Sequence, residues 1–268
     1  MLSRLTHQAL RLACWQGDRR FAGQRHDLER VQRDKLAQLL RDIPLDGRPA
    51  IASWEAFRER VPLSRYGDWR DRIDSQRSGG PMLTRSQLVR YQPTSGSSER
   101  LKLIPYTRRF LGELDAAIAP WVASLYRQHP GLRSGVHYWS VSWLPESQRH
   151  LLDGNFNDDS ELLGGVKRVL AAYSQAVPAG VAFAGAADDA MFATLAFLLA
   201  QDDLRMLSVW SPTFMLQMLE AVEMHGEELV EVLESGYWGR RAASGDIFSP
   251  TRSTPKRRPR NWKQGTLP

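Results

Sequence analysis

Two stretches of the chain couple a short apolar run to a well-capped helix, and this repetition constrains the fold more than any other feature. Residues 101–105 read as a strand. Thr107 follows as an N-cap, and an amphipathic helix is expected over 108–128, kinked or split at Pro120. Residues 205–210 read as a second strand. Ser211 then caps a helix with Pro212 at its first position, and the spacing carries it to Leu233. Between these, 136–144 is rich in aromatic and β-branched residues and favours a strand, and 181–184 is a shorter strand candidate. Helices are expected over 161–173 and 188–201, the second buried on most sides. Strand–helix units therefore recur from residue 105 onward, and the fold class is α/β.

Ahead of that body the chain is helical. Leu2, Leu5, Ala9, Leu10 and Leu12 fall at helical spacing, as do Leu28, Val31, Leu36, Leu39 and Leu40. The Ile43-Pro44 step ends the second helix, because the residue before proline disfavours the helical region. Residues 45–90 are mixed, with short helices over 51–61 and 66–75 and a loop over 78–81. No uncharged apolar run approaches the roughly 18 residues a membrane span needs. Arg4, Arg11, Asp18, Arg19 and Arg20 interrupt the N-terminus, so it does not read as a signal peptide. Cys14 is the only cysteine, which excludes an internal disulfide and makes a reducing cytoplasm the expected compartment.

The net charge of +6 suggests nucleic acid until it is located. Residues 239–268 hold eight cations and one anion, +7, which leaves −1 for all the rest. The body is therefore neutral. Residues 240–268, rich in Ser, Pro, Arg and Gly and without period, read as a disordered basic tail. A nucleic-acid partner is not expected. An interaction role for the tail is the reading that deleting 240–268 would test.

The segment that suggests chemistry is Thr94, Ser95, Gly96, Ser97 and Ser98, followed by Lys102. Small residues let a backbone approach a phosphate. Hydroxyls and amides donate to its oxygens, and a lysine adds charge. The pattern is neither a Walker A loop, which needs Gly-Lys before Ser or Thr, nor a Gly-x-Gly-x-x-Gly fingerprint. On these residues alone, a plain surface turn remains the alternative, and Lys102 the exposed charge at a strand start.

Residues 94–107 resemble the first motif of the auxin-responsive acyl-acid amido synthetases, relatives of the acyl-CoA synthetases and luciferase in the adenylate-forming superfamily. The segment 137–143, His-Tyr-Trp-Ser-Val-Ser-Trp, is similar to the strand that follows in that family. Segments 192–196, 209–214 and 233–239 resemble its central helices, in consistent order over roughly residues 30–239. The resemblance implies the N-terminal part of the large adenylate-forming domain over residues 1–239. It implies a two-step ligase that uses ATP and Mg²⁺ to join a small carboxylic acid to an amine, usually an amino acid. Carried over by position, Thr94, Ser95, Gly96, Ser97 and Ser98 cradle phosphates, and Lys102 is the nearby cation.

The sequence departs from the family pattern in three places. The turn is one residue shorter than the plant form. An aromatic-x-x-Ser/Thr-Glu motif for adenine and Mg²⁺ is absent. At the Tyr-x-x-Gly-Asp ribose motif, Gly245-Asp246 occurs with Ala242 where tyrosine belongs. The expectation is a shortened member of the family. Its second half is missing, a shifted or truncated reading frame accounts for 240–268, and the chain by itself is inactive or a non-catalytic remnant.

Other residues offer less. His7, His26, His129, His137, His150 and His225 have no metal-ligand spacing, so no metal site is expected. Asp158-Asp159, Asp188-Asp189 and Asp202-Asp203 read as helix-end acids. No Gly-x-Ser-x-Gly elbow offers a serine nucleophile. Trp121, Trp139, Trp143 and Trp210, with Phe192 and Phe214, suit an acyl-pocket wall by resemblance, and core packing equally well.

Overall fold

The computed structural model describes residues 2–43, 51, 53–94, 102–149, 164–209 and 211–243. The chain divides into two compact units, one of residues 1–14 and 122–268, the other of 15–121.

The second of these is built on helices and one hairpin. Helices α1 (Leu2–Gln24) and α2 (Leu28–Asp42) match the N-terminal periodicity, and Asp27 caps α2 through the Arg30 amide. Helices α3 (Trp54–Arg60) and α4 (Gly67–Arg77) follow. Strands β1 (Leu88–Pro93) and β2 (Leu103–Thr107) pair antiparallel. Residues 88–93 were expected to be mixed or turn-like. They form a strand because β2 supplies the partner for their backbone. Helix α5 (Arg108–Gln128) begins as expected, with the Thr107 hydroxyl accepting from the Phe110 amide at 3.1 Å. It is not split at Pro120, which forfeits only its own donor while the helix runs on. Gly17 on α1 faces Ala119 on α5, where an added Cβ would lie 2.9 Å from the alanine Cβ. Asp42 and Gln38 on α2 hold Arg109 on α5, and Lys35 pairs with Glu113.

In the other unit, β3 (Val136–Trp139) pairs parallel with β4 (Leu204–Ser208). Gln175 extends β3 on its other side, its side-chain amide donating to the Trp139 carbonyl and accepting from the Trp139 amide. Short α6 (Glu146–Arg149) and α7 (Gly165–Tyr173) precede α8 (Ala187–Leu199). Helix α8 is apolar beyond its first turn. Phe192, Ala193, Leu195 and Ala196 are buried among Tyr138, Val177, Val181, Met218, Leu229 and Val232, as its composition predicts.

Two expectations fail here. Residues 179–183 form a 3₁₀ turn rather than a strand, with Val181 and Ala182 packed beside α8 and no neighbouring strand to pair with among the described residues. The long helix after Ser211 is two helices, α9 (Pro212–Met224) and α10 (Gly226–Ser235). His225 leaves the helical region between them and turns its imidazole to Asp188 at 3.2 Å. The Ser211 cap is present, accepting from the Phe214 amide.

Two polar networks sit inside this unit. His7 on α1 is fully buried and lies 4.4 Å, ring to ring, from His137 on β3. Its Nε2–H donates to the Gly135 carbonyl, which leaves Nδ1 to accept from the Tyr126 hydroxyl at 2.8 Å. His137 donates from Nε2 to the Leu132 carbonyl, and its buried Nδ1 has no partner among the described residues. Burial, reinforced by the neighbouring His7, pulls the His137 pKa down to about 4. Burial likewise raises the Tyr126 phenol, so it stays protonated and donates. Gly135 adopts φ +76°, and a Cβ there would strike the Asp203 carbonyl.

The second network gathers around Arg241. Residues Gly239–Ala243 form a 3₁₀ turn. The Arg241 guanidinium is buried against Asp188, Asp189 and Glu228, and its Cζ lies 4.2 Å from the Phe192 ring centre. Arg240 also pairs with Glu228. Arg240's hydrogen bond, opposed by burial and seconded by Arg241, holds the Glu228 carboxyl below its ordinary range. The composition boundary after residue 239 therefore falls inside a folded ion-pair cluster. Residues 244–268, including Gly245-Asp246, lie outside the described residues.

Candidate functional site

The residues singled out by chemistry flank the turn between β1 and β2. Ser95, Gly96, Ser97 and Ser98 lie outside the described residues, so the structure positions only Thr94 and Lys102. These two face each other across the hairpin, with the Thr94 amide donating to the Lys102 carbonyl at 3.0 Å.

That bond fixes what happens one residue further in. Opposed pairs in an antiparallel ladder alternate between hydrogen-bonded and non-bonded kinds. Pro93 opposite Leu103 is then a non-bonded pair. The missing N–H of Pro93 costs nothing there, and the Leu103 amide and carbonyl point away from β1. Both meet the Tyr66 hydroxyl, which accepts from the amide at 2.9 Å and donates to the carbonyl at 3.3 Å. One phenol just ahead of α4 thus satisfies both groups on the outer edge of β2. A second tie is Gln76 on α4. It donates to the Tyr91 hydroxyl at 2.9 Å and accepts from the Leu83 amide.

Cations gather on the aromatic rings of this hairpin. The Lys102 ammonium stands 6.0 Å from the Tyr66 ring centre, and the Arg70 guanidinium 5.7 Å from the same ring. Arg90 lies over Tyr106 and Arg77 over Tyr91. Lys102 and Arg70 are half-buried, and neither has a carboxylate partner among the described residues. Lys102 is therefore not the fully solvated strand-start charge that the alternative reading supposed. Among the described residues, no group of three His, Cys, Asp or Glu side chains could hold a metal ion.

A family comparison settles the ancestry. The GH3 family N-terminal domain matches residues 20–262. The chain belongs to the GH3 family. Two solved structures share the fold. The GH3.15 acyl acid amido synthetase aligns with a TM-score of 0.51 at 20% identity over 80% of this chain. AtGH3.15 acyl acid amido synthetase in complex with 2,4-DB aligns with a TM-score of 0.51 at 20% identity over 75%. This GH3-family chain spans 38% and 36% of those two chains. Among curated proteins no match emerges. The expected fold class stands: a mixed helix-and-sheet structure with a helical N-terminus, matching the N-terminal region of the GH3 fold.

The aromatic candidates have mixed fates. Phe192 and Trp139 are buried. Trp143 packs at the core edge with its Nε1–H on the Ala184 carbonyl, and Phe214 is part-buried against the core. Trp121 is exposed, and Trp210 lies outside the described residues. Asp188 and Asp189, read as helix-end acids, do stand in the first turn of α8, but their charge is spent on Arg241. Asp158 and Asp159 lie outside the described residues. The partner of the Tyr66 hydroxyl, Leu103, lies 37 residues away, so no local spacing signals it, whereas Arg70 follows Tyr66 at the i,i+4 spacing of a helix. Among the described residues, no helix is long and apolar enough to cross a membrane.

Proposed function

We propose that this GH3-family chain is the phosphate-gripping part of an ATP-dependent acyl-acid amido synthetase. In the first step a carboxylate oxygen attacks the α-phosphorus of ATP and pyrophosphate leaves. In the second an amine nitrogen attacks the acyl-adenylate carbonyl, AMP leaves, and the nitrogen gives up a proton. Both steps need anions held in line while charge spreads over phosphoryl oxygens. Thr94, Ser95, Gly96, Ser97 and Ser98 supply the cradle, and Lys102 supplies charge. The observation that supports this most is the half-buried Lys102 ammonium at the neck of the turn, on a tyrosine ring and without a carboxylate partner among the described residues. A phosphoryl group is the natural counter-ion for such a site. Mg²⁺ would arrive on the nucleotide. A small carboxylic acid and an amino acid are the substrate classes, and a reducing cytoplasm suits a chain whose lone cysteine is buried.

A second reading starts from Ala242, which stands where the family's ribose motif carries tyrosine. There the chain holds nucleotide without turning it over. Acid-dependent exchange of labelled pyrophosphate into ATP, across a panel of carboxylic acids, separates the two. Exchange with any acid supports the adenylation step of the synthetase reading, and amide formation on adding an amino acid supports its second step. Binding of Mg·ATP without exchange leaves the second reading. No binding at all ends both.

A further inference from the structure

Resting on that nucleotide reading, we propose that Tyr66 is a positioning residue that presents two cations, Lys102 and Arg70, to the pyrophosphate end of the nucleotide. Arg70 is thereby assigned as a second phosphate-binding residue. It lies on α4, far in sequence from the hydroxyl-and-glycine turn.

Three observations converge. First, the Tyr66 hydroxyl occupies both outward groups of Leu103, so the ring is fixed one residue from Lys102. Second, both cations approach that ring, at 5.7 and 6.0 Å from its centre, so their charges lie no more than about 12 Å apart. Third, both are half-buried without a carboxylate among the described residues. Other arginines show the contrast. Arg77 pairs with Asp74, Arg109 with Asp42, and Arg241 with three acids. Two like charges gathered on one ring repel each other, and an anion carrying several charges relieves that repulsion. Guanidinium suits two oxygens of a phosphoryl group, and ammonium serves as the point charge. A diphosphate can engage both cations at once, whereas a single phosphate satisfies one.

Calorimetric titration of the full chain with Mg·pyrophosphate, Mg·ATP and AMP tests this. Arg70→Gln is expected to weaken pyrophosphate and ATP about tenfold and AMP far less. Arg70→Lys should recover only part of the loss, since ammonium keeps the charge but not the two-oxygen contact. Tyr66→Phe keeps the ring and removes the ties to Leu103. It should weaken ATP as well, with faster hydrogen exchange at the Leu103 amide. Arg72→Gln is the control, since Arg72 is an exposed arginine on the same helix and lies over Trp69. It should change nothing. Unmutated protein gives an independent reading: pyrophosphate should shield Arg70 from an arginine-specific dicarbonyl reagent, followed by peptide mass spectrometry. If the wild type binds ATP while Arg70→Gln binds it equally, or Arg72→Gln loses as much, or Arg70 is not shielded, the inference falls and the nucleotide reading survives. If the wild type binds neither ATP nor pyrophosphate, both fall.

Discussion

Arg241 and Arg70 each rest on an aromatic ring, Phe192 in one unit and Tyr66 in the other, yet their surroundings differ completely. Arg241 is buried and met by Asp188, Asp189 and Glu228. Arg70 is half-buried and meets no acid among the described residues, and Lys102 shares its ring. A cation ringed by carboxylates has its charge fully answered and can only hold structure. A cation left on a ring keeps its charge available. The same division separates His7, whose two ring nitrogens both have partners, from the hairpin around residues 94–102.

The largest effect that could break this contrast is expected at Arg241. Arg241→Met strands three acids around an apolar side chain and should cost about 3–5 kcal/mol of stability. A denaturant midpoint near the wild-type value would show the cluster to be incidental.

Acid should act next, through His137. Its pKa in the fold is about 4, below the ordinary 6.5. The neutral ring is the form the fold accepts, so its contribution is complete above pH 6.5. That contribution is lost progressively as pH falls from 6.5 through 4, and about 3 kcal/mol is the upper limit. Urea midpoints between pH 7.5 and pH 4 measure it, and His137→Phe should flatten that part of the profile. An unchanged slope in the variant would remove His137 as the cause.

Tyr126→Phe takes away the donor to His7 Nδ1 and leaves a buried acceptor, at a cost of about 1–2 kcal/mol. Thermal or chemical unfolding of the single variant decides this, and no change would mean that water replaces the phenol.

Lys102→Met sharpens the comparison from the other side. Stability should move by no more than about 0.5 kcal/mol, because no ion pair among the described residues is broken, while ATP binding weakens. A large stability loss with unaltered binding would place Lys102 with Arg241 as a structural cation.

Much of the backbone was legible in the residues themselves. The caps at Thr107 and Ser211, the two N-terminal helices and the buried helix over 187–199 all follow from spacing and side-chain chemistry within a few positions. Strand β1 was not legible. Leu-Val-Arg-Tyr-Gln-Pro has weak alternation and ends on a proline, which only the non-bonded position opposite Leu103 makes harmless. The 3₁₀ turn over 179–183 carries Val181 and Phe183, which suggest a strand, but Ala179, Gly180 and Ala182 do not favour one. The break at His225 is accompanied by a hydrogen bond to Asp188, 37 residues away. Within the candidate site, Thr94 and Lys102 were legible in the sequence, while the placement of the Tyr66 hydroxyl on Leu103 was not.

The sequence by itself determined where helices begin, that strands and helices alternate, and that one hydroxyl-and-glycine turn stands apart, because each depends on neighbours within about one or two turns of chain. Tertiary structure decided which charges are answered and which are left open. A carboxylate 53 residues from Arg241 neutralises it, and no local pattern could distinguish that arginine from Arg70. Charge compensation depends on distance through space, and only the folded chain sets that distance.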